Sequence, residues 1–584
     1  MSNLSLKLKM FNGMYKFVTS KQDSLPLYHG NDIPEFVAAD AGSDLPRGTA
    51  EQVNISRSAI IRFINRLSCD DHINLAGIGI MVDGKLVTEH YEAPFNNTYR
   101  HVSFSMCKSV VSMAIGIAVS EGLLSLDEKI YDIFPAHNGI FVKKYMKEIT
   151  IRHLLTMTSG ASFDEVSSCF SPDWCKSYIG SDVKFEPGTS FTYNSLNTYM
   201  LAAVLKKKSG MGLVEYLTER LFEPLDIHDV TWDKCPTGIE KGGWGMKLSL
   251  VDMLKLGQLY LDKGVWKSNG TEKRILSREW IDESVTCHSQ ISGKKFVRGY
   301  GYQIWLLRDG AYLFNGVFGQ NVYINTKRNM VIATTASAYE MFPEGRLIEA
   351  ICRFAARDEN FVSDDGIKLV RAKFREKLGV GKKISTPNLK TRMYEQREYR
   401  KLKEFLNPHF DVTYKFSEYA SSILPVSSQV VYSNFMSGIE QLTLHFKNNQ
   451  LLLCVSDSGS NYQLDIGYTA TMPYVYQIIE INGKKLPVAV AGRVVCDEDD
   501  RILFKINIVY LEEVGSKIFK LYFEQDGLKL KAYETPDMMI VADKMFGEKL
   551  IRRTKNLDKN STPEYMKYKI HQVLSPKVRG HIDE

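Results

Sequence analysis

The sequence predicts an α+β fold in two parts: helices mixed with an antiparallel sheet up to about residue 356, then a mostly-β domain. The first observation is a pair of short apolar runs around Asp83-Gly84, because Asp-Gly between such runs is the strongest short-range signal for a β-hairpin. The second is an apolar helical segment that begins at Ser105. The third is a series of short alternating segments, such as 504–510, separated by turn residues.

The composition is that of an ordinary soluble globular protein, with 44% hydrophobic and 24% charged residues among 584. The net charge of +6 is small for this length and does not argue for a nucleic-acid partner. Nine cysteines stand singly, without metal-ligand spacing, so we expect neither a metal site nor a cofactor. The N-terminus has no apolar signal segment and no run is long enough to span a bilayer, so the expected location is the cytoplasm. The composition leaves the oligomeric state open.

The chain is too long for one core, and its composition changes along its length. Residues 1–50 are polar and turn-rich and are expected to form an N-terminal arm, followed by the first domain at 51–356. Residues 357–407 are rich in Lys, Arg and Glu, which predicts a charged connector. Residues 408–550 predict a β-sandwich or small barrel, and 551–584 a tail or terminal helix.

Within the first domain the apolar periodicity predicts several elements in turn. His153 lies on a short helix that is expected to end at Gly160, and we interpret it as a packed or capping histidine. The other predicted elements are helices at 60–67, 105–119, 199–205 and 250–260, and strands at 322–324 and 330–335.

The candidate chemistry centres on Ser105-Met-Cys-Lys108 at the start of the apolar helix. Residues three apart lie on one helix face, so the Lys108 amine can reach the Ser105 hydroxyl. A serine becomes a nucleophile when an adjacent base or cation activates it. A lysine in the first turn of such an apolar helix needs a partner, which favours this pairing.

Further motifs follow Ser105-x-x-Lys108 in order: Tyr193-Asn-Ser195, after Pro187-Gly188, and Phe314-Asn-Gly316. Together with Arg152–Gly160 and Gly122–Asp127, they resemble the serine β-lactamase and penicillin-binding protein superfamily, specifically its class C-like branch. The resemblance covers about residues 50 to 355. It implies a transpeptidase-like domain, with an antiparallel sheet flanked by helices and a helical subdomain.

The resemblance also implies roles for these residues. Ser105 is expected to attack a carbonyl and form an acyl-enzyme, with Lys108 lowering its pKa or taking its proton. Tyr193 is expected as the partner acid or base, poised toward phenolate by the nearby ammonium. The backbone N–H groups of Ser105 and Val317, beside Gly316, are expected to form the oxyanion hole.

The sequence departs from the family pattern twice. Ser195 stands where the second motif usually has Asn, and it is expected to hydrogen-bond Lys108 instead. Phe314 stands where the third motif usually has Lys or His, so a cation that would grip a substrate carboxylate is missing. This resembles the carboxylesterase members and favours hydrolysis of a small ester or amide. The alternatives are a penicillin-binding D-Ala peptidase or β-lactamase, and a catalytically silent binding protein.

Two further segments have open interpretations. Gly242-Gly-Trp-Gly245 is expected either to approach the wall of the site or to form a tight turn. Trp174 is expected either to line the pocket or to lie on a surface loop.

Overall fold

The computed structural model describes residues 45–137, 143–268, 270–357, 389–417, 421–432, 436–469, 472–537 and 576–583. The chain folds as two compact units. Of the described residues, 45–357 belong to the first unit and 389–583 to the second. The first 44 residues of the expected N-terminal arm lie outside the described residues.

The first unit alternates helices with antiparallel strands, in agreement with the expected α+β class. Its helices are α1 (Arg57–Cys69), α2 (Cys107–Ser120), α3 (Ile130–Ile133), α4 (Ile151–Leu155), α5 (Glu165–Ser168), α6 (Trp174–Ile179), α7 (Ser195–Ser209), α8 (Leu213–Leu217), α9 (Leu250–Leu261), α10 (Arg278–Ser284) and α11 (Arg346–Ala355). Its strands are β1 (Leu75–Val82), β2 (Lys85–Tyr91), β3 (His101–Val102), β4 (Thr231–Trp232), β5 (Met246–Leu248), β6 (Val265–Ser268), β7 (Thr271–Arg274), β8 (Ser289–Gln290), β9 (Val297–Tyr300), β10 (Trp305–Leu307), β11 (Tyr312–Gly316), β12 (Gln320–Asn325) and β13 (Met330–Ala336).

The main sheet has eight antiparallel strands in the order β2-β1-β13-β12-β11-β10-β9-β8. The predicted hairpin at Asp83-Gly84 joins β1 and β2 at one edge. Helices α1 and α11 pack together on one face, where Phe63 and Phe354 stack with ring centroids 4.2 Å apart. Helices α2, α7 and α9 pack in the core on the other face. Since both faces are covered, the central strands β1 and β13 are buried at every position.

The helical part confirms most of the predicted elements and corrects one. Helix α4 ends at Leu155, five residues before Gly160, because Thr156 already leaves the helical conformation. Gly160 instead has a positive φ of 71° in the loop that follows. His153 caps its own helix, since its Nδ1 accepts the Thr150 backbone N–H at 3.2 Å. The interpretation of His153 as a capping residue is confirmed.

The second unit is a nearly closed antiparallel barrel with two helices, α12 (Leu389–Leu406) and α13 (Val426–Tyr432). Its strands are β14 (Thr413–Phe416), β15 (Ile439–Lys447), β16 (Gln450–Asp457), β17 (Ser460–Ile466), β18 (Val475–Ile481), β19 (Lys484–Cys496), β20 (Ile502–Tyr510), β21 (Ser516–Glu524), β22 (Gly527–Thr535) and β23 (Lys577–Ile582). They form one sheet in the order β17-β16-β15-β14-β23-β22-β21-β20-β19-β18.

The two ends of this sheet meet, which distinguishes a barrel from the sandwich left open by the sequence. Gly467, directly after β17, donates its N–H to Val490 of β19 at 3.0 Å and accepts from Gly492 at 2.8 Å. The Gln477 amide of β18 exchanges two hydrogen bonds with the backbone of Asp465 in β17. The sandwich alternative is therefore wrong, and a single sheet closes on itself.

Both ends of the second unit contribute to the barrel. Leu402 and Leu406, at the end of the segment expected as a charged connector, are buried in the barrel core. Strand β23 pairs with β14 and β22, although residues from 551 on were expected to form a tail or a helix. Its Val578 is buried in the core, so a short alternating segment supplies a strand in spite of its polar composition. No helix within the described ranges is both long and apolar enough to cross a membrane.

Candidate active site

Ser105 is presented by a tight turn between β3 and α2. The turn is a 3₁₀ helix over Phe104–Met106, and α2 begins only at Cys107. Phe104 has a positive φ of 45°, which is rare for a residue with a side chain and is typical of strained functional turns. Ser103 fastens the turn through two hydrogen bonds to the Met246 carbonyl of β5. Ser105 is half-buried, whereas the residues that follow it are fully buried.

Lys108 is buried, with only 1% of its surface exposed, and it points at the serine. Its Nζ donates to Ser105 Oγ at 2.7 Å and to the carbonyl oxygen of Gly243 at 2.6 Å. Both acceptors are neutral, and no carboxylate among the described residues forms an ion pair with Lys108. Burial lowers the pKa of Lys108 to about 8, and the charge of Glu165 opposes this shift. The adjacent Cys107 thiol is neutral, because burial raises its pKa to about 12.

Tyr193 completes the group expected from the motifs. Its hydroxyl shares a hydrogen bond with the Ser105 side chain, and Lys108 Nζ lies 5.1 Å from the centre of its ring. Burial raises the pKa of Tyr193 well above the usual phenol value, and the bond to Ser105 only partly offsets this. This direction is opposite to the expected shift of Tyr193 toward phenolate. Burial favours the neutral phenol of Tyr193 and, at the same time, the neutral amine of Lys108.

Ser195 does not take the place expected of it. It begins helix α7, and its backbone N–H donates to Glu165 Oε1 at 3.0 Å. Within the described residues Lys108 bonds Ser105 and Gly243, so the Gly243 carbonyl occupies the position expected for the Ser195 hydroxyl. A Cβ on Gly243 would lie 2.6 Å from the Ser195 carbonyl oxygen, which requires glycine at this approach. The segment Gly242–Gly245 thus forms a wall of the site.

The third motif lies on β11 directly against the serine turn. A Cβ on Gly316 would lie 2.2 Å from the Ser103 carbonyl oxygen and 3.2 Å from the Met106 nitrogen, so only glycine allows this contact. Val317 follows directly, at the start of a 3₁₀ turn. Phe314 is fully buried and packs edge-on against Tyr260, with ring centroids 5.0 Å apart. It is a core residue of β11, two positions before the glycine that contacts the serine turn.

The structure adds residues that the motifs did not indicate. Tyr193 stacks on Trp305 at 5.5 Å, and Phe342 stands edge-on to Tyr193 at 5.9 Å with 44% of its surface exposed. Exposed Glu165 is an anion near Lys108 and Tyr193. Trp305, Phe342 and Glu165 lie outside the three motifs, and each is distant in sequence from Ser105. Trp174 begins α6 and is buried against Tyr199 and the half-buried Trp244, so the surface-loop alternative is wrong.

Comparisons with known proteins identify the family of the first unit. The β-lactamase family model matches residues 60–350. The 6-aminohexanoate-dimer hydrolase of Paenarthrobacter ureafaciens is 24% identical over 286 residues, which cover 44% of this chain and 71% of that protein. A β-lactamase of Escherichia coli K12 is 28% identical over 148 residues, covering 24% of this chain and 37% of that one.

The chain is also similar to solved structures. A putative 6-aminohexanoate-dimer hydrolase from Bacillus anthracis is 20% identical, with a TM-score of 0.43, and the match covers 59% of this chain and 94% of that one. The curated relatives named above are hydrolases. Through residues 60–350, this chain belongs to the β-lactamase family, within the superfamily of serine β-lactamases and penicillin-binding proteins.

Proposed function

We propose that this protein is a serine acyl hydrolase that cleaves an ester or amide of a small substrate through an acyl-enzyme on Ser105. The observation that carries the proposal is the 2.7 Å contact between Ser105 Oγ and a buried lysine whose pKa lies near 8. At that pKa about a tenth of Lys108 is a neutral amine at pH 7, far more than for an ordinary lysine. A neutral amine within hydrogen-bond distance is a competent general base for a serine hydroxyl.

Acylation then follows from the three side chains. Ser105 Oγ forms a bond to the substrate carbonyl carbon while its proton passes to Lys108 Nζ. The negative charge that develops on the carbonyl oxygen is assigned to the backbone N–H groups of Ser105 and Val317. The protonated Tyr193 hydroxyl gives its proton to the leaving alcohol or amine as the scissile bond breaks, and Lys108 restores that proton.

Deacylation uses the same groups in reverse order. A water molecule replaces the departed alcohol or amine and loses a proton to the base as its oxygen attacks the acyl carbon. The bond to Ser105 Oγ breaks, the serine regains its proton, and the carboxylic acid leaves. Net consumption is one water for each bond cleaved.

The surroundings of Ser105 favour an apolar acyl or alcohol group over one that carries a carboxylate. Phe314, at the position of the expected cation, is directed into the core against Tyr260. Phe342, Trp305 and Tyr193 instead form an aromatic edge beside the serine. This argues for an esterase or amidase rather than a β-lactamase or D-Ala peptidase.

The test is hydrolysis of short-chain p-nitrophenyl esters by the wild-type chain and by Ser105→Ala at equal folded concentration. We expect the rate to fall on the order of 10⁴-fold or more, as for loss of the nucleophile in other serine hydrolases. Ser120→Ala is the matched control, because Ser120 ends the same helix and bonds only its own helix backbone at Gly116. It should retain the wild-type rate.

Mass spectrometry of the intact protein separates the alternatives. A fluorophosphonate adduct that disappears in Ser105→Ala supports the proposal. A stable penicillin adduct without ester turnover would favour a penicillin-binding protein. A protein with neither turnover nor adduct would be a silent binder, and full activity in Ser105→Ala would refute the assignment of the nucleophile.

A further inference from the structure

A row of lysines crosses four neighbouring strands of the barrel in direct register. Lys505 of β20 is opposite Lys520 of β21, which is opposite Lys531 of β22, which is opposite Lys577 of β23. Adjacent strands lie about 4.8 Å apart, so the row is about 14 Å long. We call these four residues the lysine ladder.

The lysine ladder lies on the outer wall. The residues that alternate with it, including Phe504, Ile506, Phe519, Leu521 and Leu530, are fully buried in the barrel core. Because successive side chains in a strand point to opposite faces, the lysines are directed outward. Lys577 is exposed, and the other three are half-exposed.

This arrangement costs folding free energy, because like charges directly opposite each other in a sheet repel. Burial and the neighbouring Lys520 lower the pKa of Lys505. Burial and the cations Arg501, Lys529 and Lys577 lower the pKa of Lys531, although Asp497 partly opposes this. The row therefore holds more positive charge than its surroundings neutralise.

No carboxylate within the described residues forms an ion pair with any of the four lysines. Two of the lysines instead make cation–π contacts. Lys520 lies 5.1 Å from the centre of the Tyr533 ring, and Lys531 lies 4.7 Å from the centre of the Tyr522 ring. The nearby Asp497 is already engaged by Arg501, with contacts of 2.8 and 3.0 Å. The ammonium groups of the lysine ladder can therefore donate hydrogen bonds to an external anion.

We propose that the lysine ladder binds a linear polyanion, of the chemistry of a phosphate polymer, laid across strands β20 to β23. A row of cations matches a chain of anionic groups, and Arg501 and Lys529 add positive charge beside Lys531. The curvature of the barrel wall favours contact with a flexible linear polymer over contact with a flat lipid surface. Binding would relieve the repulsion between the lysines and release counterions from the polymer. This inference does not depend on the hydrolase chemistry.

The experiment measures binding of long-chain inorganic polyphosphate to the full chain by isothermal titration calorimetry at several salt concentrations. The test variant is Lys520→Gln/Lys531→Gln. The matched control is Lys447→Gln/Lys485→Gln, which removes the same charge from exposed lysines elsewhere on the barrel. We expect at least tenfold weaker binding in the test variant only. The slope of log K against log salt should decrease in magnitude by about 1.4 for two lost contacts.

A second readout separates binding from structure. Because the ladder costs stability, the test variant should melt at a higher temperature than wild type in the absence of polyphosphate, and the control should not. Equal affinities of test and control variants would overturn the proposal. Binding to phosphatidylserine vesicles but not to polyphosphate would also overturn it in favour of a membrane surface. Equally tight binding of orthophosphate would overturn it in favour of a single-anion site.

Discussion

Each of the two units buries a lysine, and the two lysines have opposite surroundings. Lys108 of the hydrolase unit contacts a hydroxyl and a carbonyl, both neutral. Lys517 of the barrel is 0% exposed and donates to the Glu534 carboxylate at 2.6 Å. Glu534 in turn accepts the backbone N–H of Val426 at 3.0 Å. Within the described residues Lys108 has no counterion in contact, whereas Lys517 forms an ion pair with Glu534.

The difference shows that the contacts of a buried lysine decide whether it is suited to proton transfer or to stabilising the fold. A buried amine with neutral partners is destabilised as a cation, so it can release its proton at modest cost. A buried ion pair cannot release a proton without leaving an isolated charge in a medium of low polarity. Lys108 is therefore suited to proton transfer, and Lys517 to holding β21, β22 and the start of α13 together.

The largest effect is expected from Lys108→Met, which keeps the length of the side chain and removes the amine. The rate of ester hydrolysis should fall on the order of 10³- to 10⁴-fold, because the serine loses its base. The melting temperature should change little, since a poorly compensated buried charge is removed. A variant that keeps more than a tenth of the wild-type rate would exclude Lys108 from proton transfer.

The next largest effect is expected from Lys517→Met, which leaves Glu534 charged and buried. The free energy of unfolding should fall by about 3–5 kcal/mol, as measured by urea denaturation. The double variant Lys517→Met/Glu534→Gln is the control, because it removes the isolated charge and keeps an acceptor for Val426. It should recover most of the loss, and failure to recover would show that the ion pair is not the cause.

The smallest effect concerns pH. Since the neutral amine is the active form and the pKa of Lys108 is about 8, kcat/KM should rise with pH and level off above that value. Glu165 stabilises the ammonium form, so Glu165→Gln should move the rise to lower pH by a fraction of a unit. A profile that stays in place would show that Glu165 does not act on Lys108.

The local part of the site could be predicted from the sequence, whereas the long-range part could not. Ser105 and Lys108 are three residues apart, so helix geometry alone brings them together. The Gly243 carbonyl that bonds Lys108 is 135 residues away in the sequence. No short-range pattern specifies that contact. The resemblance predicted Tyr193 as a partner of Ser105 but predicted a shift toward phenolate, whereas burial shifts the pKa of Tyr193 the other way.

The same division applies to the barrel. The alternation of 442–446 and 504–510 correctly predicted strands, because it depends only on neighbouring residues. Closure depends on Gly467 meeting β19 and on β23 pairing with β14, and these contacts join distant segments. The sequence could therefore predict the strands but not whether they form one sheet or two.

The register of β11 has a consequence for the charge that this strand can carry. Phe314 packs against Tyr260 in the core, while Gly316, two residues on, contacts the serine turn. A lysine introduced at position 314 would place its charge among apolar side chains, which is unfavourable without a partner. A cation at this register would therefore require a shift of β11 or a compensating group in the core.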